Sequence, residues 1–213
     1  MEDIKLIHGD SLQALKGYAD NHFDVAIVDP PYGIKADEVK ESFSPSKFGN
    51  RHRKGWDRKG WDDDIPPMEY FTELKRVSKN QIIWGGNYFL DYLGNTRCVL
   101  AWDKMQEFSG ADFEMAWTSF NKSAKSFRMS RVMAYRFIDK IHPTQKPVKL
   151  YRWLLENYTN ENDLILDTHL GSGSIAIACH YMKRKLIGYE IDKEYYDSAC
   201  KRFKEQTMQQ ALW

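Results

Sequence analysis

Leu164-Ile165-Leu166-Asp167-Thr168-His169-Leu170-Gly171-Ser172-Gly173-Ser174 is the stretch whose reading decides the fold. Its apolar start reads as a buried strand, its glycines as a tight loop, and Ile175 to Met182 as an apolar helix. Strand, glycine loop and helix together bring a nucleotide close to bare backbone. Leu186-Ile187-Gly188-Tyr189 then reads as a further strand, ending in Glu190, whose carboxylate is suited to two ribose hydroxyls. Outward from this unit the chain alternates strands and helices without an internal repeat. Strands are expected near Ile4–His8, Phe23–Asp29, Gln81–Trp84, Cys98–Trp102, Phe113–Thr118, Leu164–Asp167 and Leu186–Glu190. Helices are expected near Ser11–Tyr18, Pro66–Val77, Pro147–Tyr158, Ser174–Met182 and Lys193–Gln209. In the third, Tyr151, Leu154, Leu155 and Tyr158 form an apolar stripe at helical spacing. Val25–Val28 and Leu164–Leu166 are continuously apolar, as central parallel strands are. The pattern predicts one α/β domain over residues 1–213: a Rossmann-like, mostly parallel, doubly wound sheet with its ligand at the carboxyl ends of the strands.

Gly171, Gly173 and Ala176 also match the G-x-G-x-x-A dinucleotide fingerprint, which taken alone admits NAD. Asp167 argues against it. A carboxylate leading into the loop repels a pyrophosphate and attracts the ammonium of a cofactor built on methionine. S-adenosylmethionine, with a ribose, a sulfonium and an amino acid but no phosphate, suits the loop better.

The second informative stretch is Asp29-Pro30-Pro31-Tyr32, at the end of the apolar run Val25-Ala26-Ile27-Val28. The prolines fix φ and remove two donors, so neighbouring carbonyls are available to a ligand's N–H groups. The Asp29 carboxylate adds an acceptor and the Tyr32 ring a flat surface. An exocyclic amine on an aromatic base fits this cradle. Such an amine is a poor nucleophile, and two acceptors, Asp29 and the Pro30 carbonyl, draw it toward tetrahedral geometry. With an ordinary pKa of about 4, Asp29 is read as an orienting and charge-stabilising group rather than a strong base.

Together these motifs resemble the amino-directed DNA methyltransferases, in the beta order where the catalytic motif precedes the cofactor loop. Asp29-Pro30-Pro31-Tyr32 matches the family's catalytic D-P-P-Y, most often associated with adenine N6, whereas N4-cytosine enzymes more often begin with Ser. Asp167 to Ser174 is similar to D-P-F-x-G-S-G-T, with Thr168 and His169 where Pro and Phe are usual. The resemblance implies a seven-stranded sheet with circularly permuted motif order. It implies cofactor contacts at Asp10, Asp167, His169, Gly171, Ser172, Gly173, Ser174 and Glu190, and at Lys146 within His142-Pro143-Thr144-Gln145-Lys146-Pro147. The implied reaction moves a methyl group from S-adenosylmethionine to the exocyclic N6 of a flipped-out adenine in a specific site of double-stranded DNA. Cytosine N4, an RNA base and a non-catalytic DNA-binding module remain as alternatives. Monomer and homodimer both stay open, as does a companion restriction endonuclease.

Net charge is +1 over 213 residues, so any nucleic-acid surface must be local. Two tracts supply one, each with six basic residues against one acid. The first holds Lys47, Arg51, Arg53, Lys54, Arg58 and Lys59, within a long region over residues 35–64 expected to be mobile and to close over substrate. The second, an expected insertion over residues 121–140, holds Lys122, Lys125, Arg128, Arg131, Arg136 and Lys140. Cations pair with phosphates, and interleaved aromatics stack on bases. Cys98, Cys179 and Cys200 have no metal-ligand spacing and read as reduced thiols. With no membrane-length apolar run and no signal-like start, a cytoplasmic protein is expected.

Overall fold

The computed structural model describes residues 3–38, 42–44, 51–53, 55–105, 111–136 and 140–208, with 42–44 and 51–53 described as backbone only. Its strands are β1 Ile4–His8, β2 Phe23–Val28, β3 Ser42–Ser44, β4 Arg51–Arg53, β5 Ser78–Trp84, β6 Val99–Asp103, β7 Phe113–Thr118, β8 Lys125–Arg128, β9 Leu164–Asp167 and β10 Lys185–Glu190. Its α-helices are α1 Ser11–Leu15, α2 Met68–Val77, α3 Leu90–Leu93, α4 Arg131–Tyr135, α5 Val148–Tyr158, α6 Ser174–Met182 and α7 Lys193–Met208, with a 3₁₀ turn at Gly86–Tyr88.

One eight-stranded sheet runs β1-β10-β9-β2-β5-β7-β6-β8, and β3 pairs with β4 in a separate ribbon. β7 is antiparallel to both β5 and β6, while the other pairings of the large sheet are parallel. From β9 the chain moves outward to β10; from β2 it moves the opposite way to β5. The boundary between β9 and β2 is therefore the topological switch point, where a doubly wound sheet opens a crevice.

The expected seventh strand is not the last: β8 adds an eighth, drawn from the second basic tract. It pairs in parallel with β6, Phe127 lies 5.7 Å from the Trp153 ring, and the Arg128 Nε donates to Asp103 at 2.9 Å. Its four residues Lys125–Arg128 carry charge on an edge, which hides a strand from hydropathy.

Two cores cover the two sheet faces. On one, α5 buries Leu150, Tyr151, Leu154, Leu155 and Tyr158 against α6 and the β9 side chain Ile165. On the other, α2 buries Tyr70, Phe71, Leu74 and Val77 with Leu166 and Ile83. The α6 side chains Ser174 to Cys179 are all buried, so this helix is apolar without a polar face. Burial at about 25 cal/mol per Å² of apolar surface holds the strand ends, and hence the crevice, in place. No helix of the described residues is long and apolar enough to cross a membrane.

Candidate active site

β2 and β9 are adjacent, with Val25 opposite Ile165 and Ala26 opposite Leu166, so Asp29 and Asp167 leave neighbouring strands at one rim. The turn that follows β2 separates two cavities. Asp29, Pro30 and Tyr32 line the larger, of about 560 Å³, whereas Pro31 lines the smaller, of about 250 Å³.

In the larger cavity both Asp29 oxygens are engaged. The Tyr32 hydroxyl donates to Oδ1 at 2.5 Å, and the Lys146 ammonium donates to Oδ2 at 2.5 Å. Lys146 also lies 3.1 Å from Glu114 Oε2, and Lys104 pairs with Glu114 at 2.8 Å. Burial raises the Asp29 pKa, opposed by the charge of Lys146. Burial acts the same way on Glu114, but Lys146 and Lys104 overcome it and hold that carboxyl down at about 2. Lys146 is itself held protonated: burial disfavours its charge, and the two carboxylates more than restore it. The row Asp29–Lys146–Glu114–Lys104 is thus an alternating ion chain, whose members lose water only because each has a partner.

The segment after β5 completes this cavity with Gly85, Asn87 and Tyr88. The Tyr88 ring stacks on Tyr32, centroids 5.0 Å apart and 14° from parallel. A Cβ on Gly85 would stand 2.1 Å from the Tyr32 ring, and Gly85 has φ +68. Only glycine lets the two aromatics meet here.

Around the smaller cavity are Asp10, His169 and Glu190. Asp10 caps α1, accepting from the Leu12 N–H at 2.8 Å. Glu190 accepts from the Gly171 N–H at 2.8 Å and the Asp192 N–H at 2.9 Å. The His169 ring packs edge-on to Tyr70 at 5.4 Å, a position comparable to an aromatic wall. Asp167 is buried and accepts the His169 N–H at 3.0 Å. Burial first, then the charges of Asp29 and Glu190, push its pKa up to about 8. A carboxyl in that state is a prepared seat for a cation.

Gly171, Ser172, Gly173 and Ser174 build the loop below. The Ser172 carbonyl and Ser174 hydroxyl accept from buried Arg202 at 2.7 and 2.9 Å, so both serines are turned toward α7. Lys146, expected at the cofactor's carboxylate end, donates to Asp29 and lies beside Glu114. Glu114, Lys104, Asp62 and Arg202 belong to no motif in the sequence, whereas Asn87 and Tyr88 fall in Trp84-Gly85-Gly86-Asn87-Tyr88, a turn after an apolar strand that reads equally as pocket lining and as core packing.

Of the expected DNA contacts, Lys47 and Lys54 lie outside the described residues, and Arg51 and Arg53 are described only as backbone of β4. Arg58 pairs with Asp63, and Lys59 is bound by Asp192 at 2.8 Å and Glu194 at 2.7 Å. Arg128 is two-thirds exposed, Arg131 lines the rim of the larger cavity, and Arg136 follows α4 as its cap. The second tract therefore meets the larger cavity at Arg131 and Lys140, whereas Lys59 of the first is held by Asp192 and Glu194.

Residues 100–201 match a family model described as DNA methylase. The chain is 25% identical to the type II methyltransferase M.HpaI of Haemophilus parainfluenzae over 94% of its own length and 74% of the relative's. Among solved structures, the M1.HpyAVI–SAM complex superposes with a TM-score of 0.62 at 19% identity, covering 96% of this chain and 98% of that one. PvuII DNA methyltransferase, titled cytosine-N4-specific, gives 0.62 at 14% identity, with 97% and 90% covered.

Proposed function

We propose that this chain, which belongs to the amino-directed (N6/N4) DNA methyltransferases, transfers a methyl group from S-adenosylmethionine to adenine N6 in a specific site of duplex DNA. The observation that carries the reading is Asp29, with Tyr32 on its carboxylate, in a base-sized cavity one Pro-Pro turn away from a cavity lined by Asp10, His169 and Glu190.

The chemistry of the smaller site fits the cofactor. Asp167, buried just before the cavity-lining Thr168 and His169 and in neither lining itself, has its pKa pushed up to about 8 and a backbone N–H for a partner, and is suited to an ammonium or sulfonium nearby. Glu190 keeps lone pairs for ribose hydroxyls beyond the two N–H groups it accepts. When bound, S-adenosylmethionine supplies the activated methyl group.

The remaining steps belong to this chain. The target adenine leaves the duplex, at a cost of a few kcal/mol. Tyr88 and Tyr32 offer aromatic faces, and stacking returns about 1–3 kcal/mol. Arg131 and Lys140, on the rim, are suited to flanking phosphates. Asp29 can accept a hydrogen bond from N6–H once Lys146 shifts its own toward Glu114, which already lies 3.1 Å from it, and the proton that the methylated nitrogen sheds leaves through the Asp29 carboxylate to solvent. That shift removes a cation from beside a nitrogen that turns positive as the methyl arrives. Asp29 and the Pro30 carbonyl then orient N6, and Asp29 stabilises the developing charge, so positioning and fixed acceptors supply the acceleration. The reading of adenine rests on Asp at the first position of the motif.

The test is incubation with unmethylated duplex DNA and labelled S-adenosylmethionine, followed by digestion to nucleosides and mass spectrometry. Label in N6-methyladenine is the expected result. Label in N4-methylcytosine would keep the mechanism and replace the base, and absence of label on DNA would overturn the proposal.

A further inference from the structure

The residues after the first basic tract return to the catalytic turn through one side chain. Asp62 is 1% exposed, although it stands in a loop rich in charge. Its Oδ1 accepts the backbone N–H groups of Tyr32 at 2.6 Å and Gly33 at 3.0 Å, and its Oδ2 accepts that of Ala36 at 2.7 Å. One carboxylate therefore gathers three N–H groups from the turn that begins at Asp29. That turn has no helix or strand to satisfy them, and Gly33 is at φ +70.

The clamp is tied at its other end. Lys35 donates its N–H to the Asp62 carbonyl at 3.0 Å, and Asp37 Oδ2 accepts the N–H groups of Lys59 and Gly60 at 3.0 and 2.5 Å. The Lys59 ammonium bridges to Asp192 and Glu194, just beyond Glu190. The Trp61 ring lies 5.2 Å from His142, four residues before Lys146. Residues 59–62 thus touch the catalytic turn, the end of β10 and the segment that delivers Lys146.

We propose that Asp62 is a positioning residue for methyl transfer: by holding the Tyr32 backbone it sets the Tyr32 hydroxyl against Asp29 and fixes the turn relative to the cofactor side. Asp62 acts through Tyr32 and not on the reacting atoms. The proposal rests on the methyltransferase reading.

Asp62→Ala removes both acceptor oxygens and with them all three hydrogen bonds. Asp62→Asn keeps one oxygen for Tyr32 and Gly33 but turns an NH₂ toward the Ala36 N–H, so it falls between wild type and Asp62→Ala. In the full-length protein, amide exchange at Tyr32, Gly33 and Ala36 is expected to accelerate about tenfold or more in the Ala variant, less in Asn, with β2 and β5 unchanged. Single-turnover methylation is expected to fall about 30-fold in Ala, again less in Asn, while S-adenosylmethionine and DNA affinities stay within about threefold. Unchanged exchange, unchanged single-turnover rate, or cofactor affinity falling in step with rate would each overturn the proposal. If Asp62→Ala does not fold, Asp62→Asn carries the same test at smaller amplitude. A wild-type protein that methylates no DNA marks failure of the underlying reading, which a silent variant of an active wild type does not.

Discussion

Lys146 and Asp29, 117 residues apart in the chain, share a 2.5 Å hydrogen bond inside the catalytic cleft. The ammonium occupies the place that the substrate amine is expected to take, donating N–H to the same carboxylate. Glu114 gives it somewhere to go, and Tyr32 keeps the other Asp29 oxygen engaged meanwhile. The free protein thereby avoids a bare buried carboxylate in the larger cavity.

Removing Asp29 tests the division of labour between the two cavities. Asp29→Ala is expected to lower the methylation rate by about 10³ or more, with cofactor affinity within a few-fold by calorimetry. A collapse of cofactor affinity alongside activity would show that the carboxylate serves both sites.

Lys146→Met strands Asp29 in the cleft without its cation, while Glu114 keeps Lys104. Breaking such a buried arrangement costs about 3–5 kcal/mol, to be read as a lower midpoint in urea denaturation. Adding Asp29→Asn to Lys146→Met removes the stranded charge and is expected to recover part of that loss. An additive pair of effects would mean that the two residues do not interact.

Asp167 links cofactor binding to pH. Its folded pKa of about 8 lies above the ordinary carboxylate value, so the free protein holds its proton at pH 7. A bound cation favours the ionised form, and binding at pH 7 is therefore expected to release close to one proton, fading above about pH 9. Calorimetry in two buffers of different ionisation enthalpy measures this, and equal heats would refute it. The sign for stability follows: the raised pKa favours folding below the unfolded pKa, and that advantage is lost as pH rises through the folded value. At pH 8.5 Asp167→Asn is expected to raise the Tm of the free protein, while weakening cofactor binding.

Glu190→Ala removes the acceptor for the Gly171 N–H and for ribose. Cofactor affinity is expected to fall about tenfold or more, with DNA affinity within about threefold in a separate titration. Equal losses in both would contradict the assignment of Glu190 to the cofactor side.

Gly85→Ala places a Cβ in the Tyr32 ring and at positive φ. The substitution is expected to cost about 1–3 kcal/mol of stability and to reduce turnover sharply, leaving cofactor affinity unchanged. Retained turnover would mean that Tyr32 tolerates displacement from Tyr88.

Seven of the eight strands of the large sheet, the switch-point pair and the two motifs at their ends are legible in the residues. Those are local properties: apolar runs make β2 and β9, glycines make the loop before α6, and prolines make the turn after Asp29. A backbone requirement is written in the residue that meets it. Tertiary structure decided everything that depends on where a long side chain ends. Lys146 reads in sequence as a cofactor contact, and its reach to Asp29 and Glu114 exists only once β7 and the segment before α5 come together. Asp62 reads as one acid in a charged loop, Arg202 as one cation of a polar helix, and Lys125–Arg128 as part of a DNA-contacting basic tract rather than an edge strand. Each is a polar group whose partner is set by packing at a distance, and charge patterns carry no record of that partner.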